Sequence, residues 1–359
     1  MAVTLVALDF SRPVQPLFEQ AAQVGIVHSV FPKALNIVVA DMLFVLLSVE
    51  APRMPNSARL PAYVMEQLYR KLSPGMEVCI GDGRLSIPTL DLSIHLPRGA
   101  AWEPVPAIAA RSWCRAMVAR HARLLAQHLA ERALQDGLAP LVKPLLLHQA
   151  AKETPLAKIA LPLLRLLMDA SRHEDMAGVE AAVRGLAGLG PGLTPSGDDT
   201  LGGFIGVIAL SPSFRMPVAT PLVGVPSLFP NRRNDRTGHP QGVSLLGFTR
   251  EDGESLATLI VNAARPRTTL LSATLLAHAA RGELAEHVGE LLTALTLPPE
   301  HSEAVLRAAD RVLAYGACSG GDTLLGLLLG LQASGIAYPV DCIGEDYGHT
   351  GATQAEHVL

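Results

Sequence analysis

The residues best suited to chemistry lie in a glycine-rich loop that runs from Gly188 to Asp199. The loop reads G-L-G-P-G-L-T-P-S-G-D-D and is followed at once by an apolar run, which predicts a helix beginning near Asp198. Backbone N–H groups at a helix start bind anions. Asp198 and Asp199 favour the helix dipole themselves and repel a phosphate, so they would instead hold a cation or the N–H of an amide. The loop has neither the lysine of a P-loop nor the G-x-G-x-x-G spacing of a dinucleotide-binding loop.

A second glycine-rich loop, from Gly316 to Asp322, repeats this pattern. The run S-G-G-D-T-L-L-G from Ser319 matches the run S-G-D-D-T-L-G-G from Ser196 at six of eight positions. In both copies the chain leaves a helix, turns on glycine and enters a second apolar helix. The pattern predicts two related helix-start loops, 188–199 and 316–322, that bind an anion. The alternative is two ordinary helix starts capped by Ser or Asp.

A third group of polar residues lies between the two loops. Arg267, Thr268, Thr269 and Ser272 bring one guanidinium and three hydroxyls into about one helical turn, so Thr268 and Ser272 are expected to share a helix face. Arg267 precedes the helix start, where the dipole disfavours a cation, and an anion nearby would explain it. The alternative is a solvent-facing cap with a surface arginine.

Composition and charge exclude several classes of protein. The 359 residues are 49% hydrophobic and carry a net charge of −4, which suits one large or two ordinary domains and gives no electrostatic case for a nucleic-acid partner. The four cysteines are far apart and lack a C-x-x-C pair, which argues against a zinc module and against a disulfide framework. We expect no metal and no other cofactor. The start lacks the basic region of a signal peptide, and the longest apolar run, 35–49, is interrupted by polar residues. We therefore expect a cytoplasmic protein without a membrane partner.

The distribution of turn residues predicts an α+β fold. We expect three parts: a β-rich N-terminal domain over 1–100, a mainly α-helical domain with the two Gly-rich helix-start loops over 101–338, and a polar tail over 339–359. Gly81-Asp82-Gly83 marks a tight turn between two strands, which predicts a meander or small barrel, with a helix over 60–72 as an alternative to a strand there. Residues 107–134, without Gly or Pro, predict a long helix. Further helices are predicted over 155–170, 174–187, 199–210, 254–264, 268–281, 283–296, 300–315 and 322–334. Between two of these, 211–253 is proline-rich.

The three motifs resemble those of one bacterial family, the AllH-type subunits of oxamate carbamoyltransferase, the enzyme at the end of anaerobic allantoin breakdown. The run from Gly190 to Asp199 carries the resemblance, and the motifs at 267–272 and 319–322 support it. The similarity is close over about 175–330 and general over the N-terminal part. Cys318 departs from the family pattern, where a hydroxyl residue is expected, and the segment 211–253 is longer than is typical.

This resemblance implies reversible carbamoyl transfer between phosphate and oxamate. In the catabolic direction, phosphate attacks the carbamoyl group of oxalurate and gives carbamoyl phosphate and oxamate. It also implies a complex with an FdrA-like subunit, related to acyl-CoA synthetases, and a second large subunit. On this interpretation Asp199 and Asp322 are catalytic. The implied substrate-binding residues are Gly192, Thr194, Ser196, Gly197, Asp198, Arg267, Thr268, Thr269, Ser272, Ser319 and Gly320.

Two other functions remain open at this stage. In the first, the chain is a non-catalytic assembly subunit, the chemistry belongs to its partner chains, and glycines on the apolar helices allow close packing. In the second, the loops are catalytic but act on another small nitrogen compound. Binding of carbamoyl phosphate or oxamate by the isolated chain would separate a catalytic role from the assembly role.

Overall fold

The computed structural model describes residues 3–108, 114–132, 136–152, 154–210 and 255–336. The proline-rich segment and the polar tail lie outside the described residues. The observed fold confirms the predicted α+β class, with a curved N-terminal sheet followed by a helical region.

The N-terminal part is built on a single ten-stranded sheet. Its strands are β1 (Val3–Val6), β2 (Asp9–Ser11), β3 (Gln23–Phe31), β4 (Ala34–Val39), β5 (Met42–Ser48), β6 (Ser57–Leu60), β7 (Glu77–Gly81), β8 (Arg84–Ile87), β9 (Leu92–His95) and β10 (Ala101–Trp102). Their order across the sheet is β1-β9-β8-β7-β3-β4-β5-β6-β2-β10. Because β1 and β2 follow each other in sequence yet lie near opposite ends of that order, the sheet curves into a half-barrel.

Strand pairing confirms the predicted turn but shows that the sheet is not a simple meander. β7 and β8 form an antiparallel hairpin through Gly81-Asp82-Gly83. Three pairs, β1/β9, β5/β6 and β2/β10, are parallel, whereas every pair in a meander is antiparallel and joined by a tight turn. The region 60–72 is mostly helix, α2 (Ala62–Lys71), because Val64, Met65 and Leu68 recur at helical spacing and face the core. A shorter helix, α1 (Gln15–Glu19), precedes β3.

The C-terminal part contains helices joined by loops and no strand within the described residues. Its helices are α3 (Arg115–Arg132), α4 (Val142–Leu146), α5 (Pro155–Arg172), α6 (Met176–Leu186), α7 (Ser196–Leu210), α8 (Leu256–Ala264), α9 (Leu270–Ala280), α10 (Glu286–Leu295), α11 (Ser302–Leu313) and α12 (Ser319–Ala333). The predicted start of the first helix at 107 was wrong, since residues 107–108 follow Pro106 in a turn closed by the Ile108 N–H and the Pro106 carbonyl. Helices α7 and α12 begin earlier than predicted, which places their aspartates inside the first turn.

Helices α7 and α12 pack directly against each other, backbone to backbone. A side chain on Gly203 would overlap the Thr323 carbonyl oxygen, and one on Gly326 would overlap the Thr200 carbonyl oxygen. Thr200 and Gly203 occupy the same positions in the first loop motif as Thr323 and Gly326 in the second. The two contacts are therefore related by an approximate two-fold axis, and this symmetry brings the N-termini of both helices to one place.

A network of ion pairs joins the sheet to the helical part. Arg53, in the loop after β5, pairs with Asp9 and with Glu286, the first residue of α10. The backbones of Arg53 and Glu286 also bond, since the Glu286 N–H donates to the Arg53 carbonyl. Asp9 pairs in turn with Arg59, whose guanidinium holds the pKa of the Asp9 carboxyl below its usual value against the opposing effect of burial. Arg53 thus links two carboxylates from different parts of the chain.

We expect Arg53→Ala to lower the free energy of unfolding by about 1–2 kcal/mol, below the cost of breaking a fully buried pair because both partners keep some contact with water. Urea denaturation measures the change. The matched control is Arg307→Ala, which breaks an exposed pair with Glu303 and should cost less than about 0.5 kcal/mol. Equal costs for the two variants would show that Arg53 does not join the two parts.

Candidate functional site

Asp198 fixes the loop that precedes α7. Its Oδ1 accepts a hydrogen bond from the Gly188 N–H at 2.9 Å, and its Oδ2 accepts one from the Thr268 hydroxyl. The next hydroxyl, on Thr269, donates to the Leu193 carbonyl at 2.7 Å. The segment before α9 therefore holds the loop at two points, Leu193 and Asp198, and the polar groups of Asp198, Thr268 and Thr269 are engaged within the protein.

We expect Thr268→Val to destabilise the chain by about 1–3 kcal/mol, because the buried Asp198 carboxylate loses a hydroxyl donor that valine cannot replace. Thr268→Ser should restore most of the loss. Thr274→Val is the control, since the Thr274 hydroxyl bonds only a carbonyl of its own helix; its effect should stay within about 0.5 kcal/mol. Thermal unfolding of the three variants tests this, and an unaltered midpoint for Thr268→Val would contradict it.

The other residues of the third motif are placed differently from the prediction. Thr268 and Ser272 do not share a helix face, because Thr269 is the extended N-cap residue and α9 begins only at Leu270. The Ser272 hydroxyl is buried and has no hydrogen-bond partner among the described residues. Arg267 is exposed. Gly192 is exposed within the first loop.

The two glycine-rich loops face each other. The Thr194 and Ser319 hydroxyl oxygens are 3.3 Å apart, and the Ser196 hydroxyl lies 3.7 Å from the Cys318 sulfur. Burial raises the pKa of the Cys318 thiol, which disfavours a reactive thiolate at this position. The structure thus brings together hydroxyls from both loops that are about 120 residues apart in the chain.

The glycines at the second position of each helix serve packing. The Gly197 N–H donates to the Leu189 carbonyl and the Gly320 N–H donates to the Tyr315 carbonyl. A side chain on Gly197 would overlap the Leu186 carbonyl, because the preceding helix ends against it, and the Val312 carbonyl blocks Gly320 in the same way. These two N–H groups are therefore already bonded within the chain.

Helices α7 and α12 each have an aspartate as their fourth residue, and one carboxylate oxygen of each aspartate has no hydrogen-bond partner among the described residues. Asp322 is fully buried; its Oδ1 accepts the Leu138 N–H at 2.6 Å and the Ala139 N–H at 2.9 Å. The Asp322 Oδ2 and the Asp199 Oδ2 are both buried without a hydrogen-bond partner among the described residues. A buried unpaired carboxylate oxygen is costly, so each is a candidate acceptor for N–H or O–H groups of a ligand.

The electrostatics of the site favour a proton on Asp199. Burial raises its pKa to about 7; the Ser319 and Thr194 hydroxyls oppose the shift, and the charges of Asp322 and Asp198 add to it. Burial also raises the pKa of Asp322, against the opposing Ser196 hydroxyl and its two backbone N–H donors. Asp199 therefore exchanges its proton near neutral pH, as a general acid or base must.

Two aromatic residues adjoin the site that the sequence did not single out. The Tyr315 and His287 rings lie 4.8 Å apart between centroids. Burial raises the pKa of Tyr315, and the charge of Asp199 adds to that shift. Burial lowers the pKa of His287 to about 4, so this side chain is neutral near pH 7. The sequence signal for Tyr315 was its position just before Gly316; for His287 there was none.

These features describe an α+β protein whose helical part holds a polar site between two glycine-turned helix starts. Residues 6–101 match the family model described as the AllH family N-terminal domain, and residues 237–331 match that described as oxamate carbamoyltransferase subunit AllH. The two matches together span more than half of the chain, which belongs to the AllH family. This confirms the resemblance stated from the motifs.

The matched ranges take in the sheet and the second glycine-rich loop, whereas the first loop lies between them. No solved structure matches the chain. In the described ranges, none of the helices combines the length and apolarity that crossing a bilayer requires. Among the same residues, no group of three or more His, Cys, Asp or Glu side chains is placed to hold a metal ion.

Proposed function

We propose that this chain carries the reaction site of a carbamoyltransferase complex that acts on carbamoyl phosphate and oxamate, with an FdrA-like subunit and a second large subunit as partners. The observation that carries the proposal is the pair of unpaired carboxylate oxygens of Asp199 and Asp322 at facing helix starts. The description of the family as a subunit of oxamate carbamoyltransferase supports both the reaction and the presence of partner subunits.

The groups at the site suit a carbamoyl group, which has one oxygen acceptor and an NH2 donor. The unpaired Oδ2 atoms accept N–H groups. The Thr194 and Ser319 hydroxyls, which stabilise the Asp199 carboxylate when the site is empty, turn to donate to the carbonyl oxygen as it gains negative charge during attack. A phosphate alone would be repelled by the two aspartates. The carbamoyl end of carbamoyl phosphate therefore faces the aspartates, and the phosphate points away from them.

Asp199 moves the proton that the transfer requires. When carbamoyl phosphate and oxamate react, the oxamate amide nitrogen attacks the carbamoyl carbon, a C–N bond forms, and the C–O bond to phosphate breaks with its electron pair leaving on phosphate. The proton lost by the amide nitrogen passes to the Asp199 carboxylate. In the catabolic direction a phosphate oxygen attacks oxalurate, and protonated Asp199 returns the proton to the departing amide nitrogen.

The pH dependence of the assembled complex tests this role. The reaction of carbamoyl phosphate with oxamate needs Asp199 as a base, so its rate should rise as pH increases through about 7. Attack of phosphate on oxalurate needs the acid form, so its rate should fall through the same range. Asp199→Asn should lower both rates by about 10²–10⁴-fold and remove the change in rate near pH 7.

Asp169→Asn, on the exposed surface of α5, is the control and should leave both pH profiles unaltered. Full activity of Asp199→Asn or Asp199→Ala in the assembled complex would refute the proposal. The alternative assembly role was suggested by glycines on the apolar helices, which allow close helix packing. Gly203 and Gly326 make their close contacts inside this chain, so these two glycines do not favour that alternative.

A further inference from the structure

The site has a surplus of negative charge. Asp198, Asp199 and Asp322 lie in the first turns of the two helices. The side chains that most affect the pKa of Asp199 are two hydroxyls and two carboxylates, and no basic side chain is among them. His287 is neutral. Arg267, in the segment that holds the first loop, is exposed at the edge. Carbamoyl phosphate and oxamate are both anions, so the described site is short of the positive charge that they require.

Exposed apolar side chains border this acidic centre on three different segments. Leu193, in the first loop, is 43% exposed and Leu270 is 38% exposed. Tyr315 is 38% exposed over the whole residue, although burial of its hydroxyl end raises its pKa. The hydrogen bond from Thr269 to the Leu193 carbonyl places Leu193 beside the start of α9, where Leu270 lies. Tyr315 is tied to the start of α12 through its carbonyl, which accepts the Gly320 N–H. We call Leu193, Leu270 and Tyr315 the apolar rim.

We propose that a partner subunit of the complex docks on the apolar rim and supplies a Lys or Arg side chain that binds the anionic reactants. The inference rests on the proposed function, because that function makes both reactants anionic. Charge complementarity selects the occupant, since an acidic centre inside an apolar border fits a segment that presents a basic side chain among apolar ones. The family description as a subunit supports the presence of such a partner.

The binding energy of the partner subunit would come from burial of the apolar rim, and its specificity from the attraction between its basic side chain and the aspartates. Three half-exposed apolar side chains around a polar centre form the kind of small patch at which interfaces concentrate their affinity. Docking also removes water from the mouth of the site, which strengthens the interaction of the reactants with Thr194, Ser319 and the aspartates.

Site-specific photo-cross-linking tests the location and the occupant. p-Benzoylphenylalanine is placed at position 270 in the chain, which is then assembled with the other subunits of the complex and irradiated. We expect a cross-link to a partner segment that contains a Lys or Arg. The same probe at position 159, which is exposed on α5, is the control and should give no cross-link to that segment. Cross-links from 270 to a second copy of this chain alone, or none in an intact complex, would overturn the inference.

Charge substitution on the rim provides an independent measurement. Leu193→Asp and Leu270→Asp should each weaken partner binding by about tenfold or more, while Ile159→Asp leaves it unaltered. The melting temperature of each isolated variant is measured alongside, so that a folding defect is recognised, and the cross-link then decides for any variant that fails to fold. Replacing the cross-linked basic residue of the partner by Met should raise the KM for carbamoyl phosphate; an unchanged KM would overturn its role in binding reactants.

The outcomes separate this inference from the proposed function. If the Asp199→Asn complex is inactive and position 270 gives no partner cross-link, the proposed reaction site stands and the docking surface is refuted. A partner cross-link at position 270 combined with a fully active Asp199→Asn complex supports the contact, refutes the catalytic role, and assigns the rim to assembly alone.

Discussion

A Gly326→Ala variant is expected to lose about 3 kcal/mol or more of its free energy of unfolding, since the added methyl group has no room. Its Cβ would overlap the Thr200 carbonyl oxygen, and that oxygen belongs to the rigid backbone of α7. A flexible side chain could turn aside, but here the two helices must separate along their whole contact. Gly203→Ala should have a similar effect through the Thr323 carbonyl oxygen. Urea denaturation followed by far-UV circular dichroism measures both.

The neighbouring Gly202 supplies the matched control on the same helix. A Cβ there would have the end of Leu276 as its nearest neighbour, at 3.8 Å, which is ordinary contact. Gly202→Ala should therefore be neutral or stabilise the helix by about 0.5–1 kcal/mol, the difference in helix propensity between the two residues. If Gly202→Ala and Gly203→Ala cost the same, the backbone contact of α7 with α12 does not determine stability.

The second large effect is expected at Asp322. Asp322→Ala leaves the Leu138 and Ala139 N–H groups buried without an acceptor, and each unpaired donor costs about 1–3 kcal/mol. We therefore expect a stability loss of about 2 kcal/mol or more, together with loss of activity in the assembled complex. Denaturation of the isolated chain and a rate assay of the complex measure the two effects separately.

Asp322→Asn distinguishes the structural role of this residue from its role in the reaction. Asparagine keeps an Oδ1 acceptor for the two N–H groups, so stability should fall by less than about 1 kcal/mol. Its NH2 group cannot accept the N–H of a ligand, so activity should still fall about 100-fold. Because the charge of Asp322 raises the pKa of Asp199, the pH range over which the remaining activity changes should move to lower pH. Normal activity with an unshifted pH profile would show that Asp322 has a structural role alone.

The helices could be predicted because their signals are local. Residues 155–170 were predicted as helix and form Pro155–Arg172, since apolar periodicity, a proline in the first turn and an N-cap Thr154 all lie within the segment. The match between the runs at 196 and 319 likewise predicted two similar helix starts. The three parallel strand pairs could not be predicted, because pairing between distant strands depends on the whole sheet.

The candidate site was predictable only where its residues lie in the motifs. The Leu138 and Ala139 N–H groups bind Asp322 through the backbone, which leaves no trace in the residue types at those positions. Arg53 and Glu286 are 233 residues apart and either could have been an ordinary surface charge. The motif at 267–272 drew attention through its three hydroxyls, yet two of them bind the first loop, and the third, on Ser272, is buried without a hydrogen-bond partner among the described residues.

The approximate two-fold axis between α7 and α12 has a consequence for how this protein can evolve. In a homodimer, a substitution in one half-site appears in the other as well, so both halves must keep the same chemistry. Here both halves belong to one polypeptide, and they differ: the position that holds Asp198 in the first holds Gly321 in the second. Because each half has its own codons in one gene, a substitution in one loop leaves the other unaltered, so each loop can take the residues that suit a different reactant.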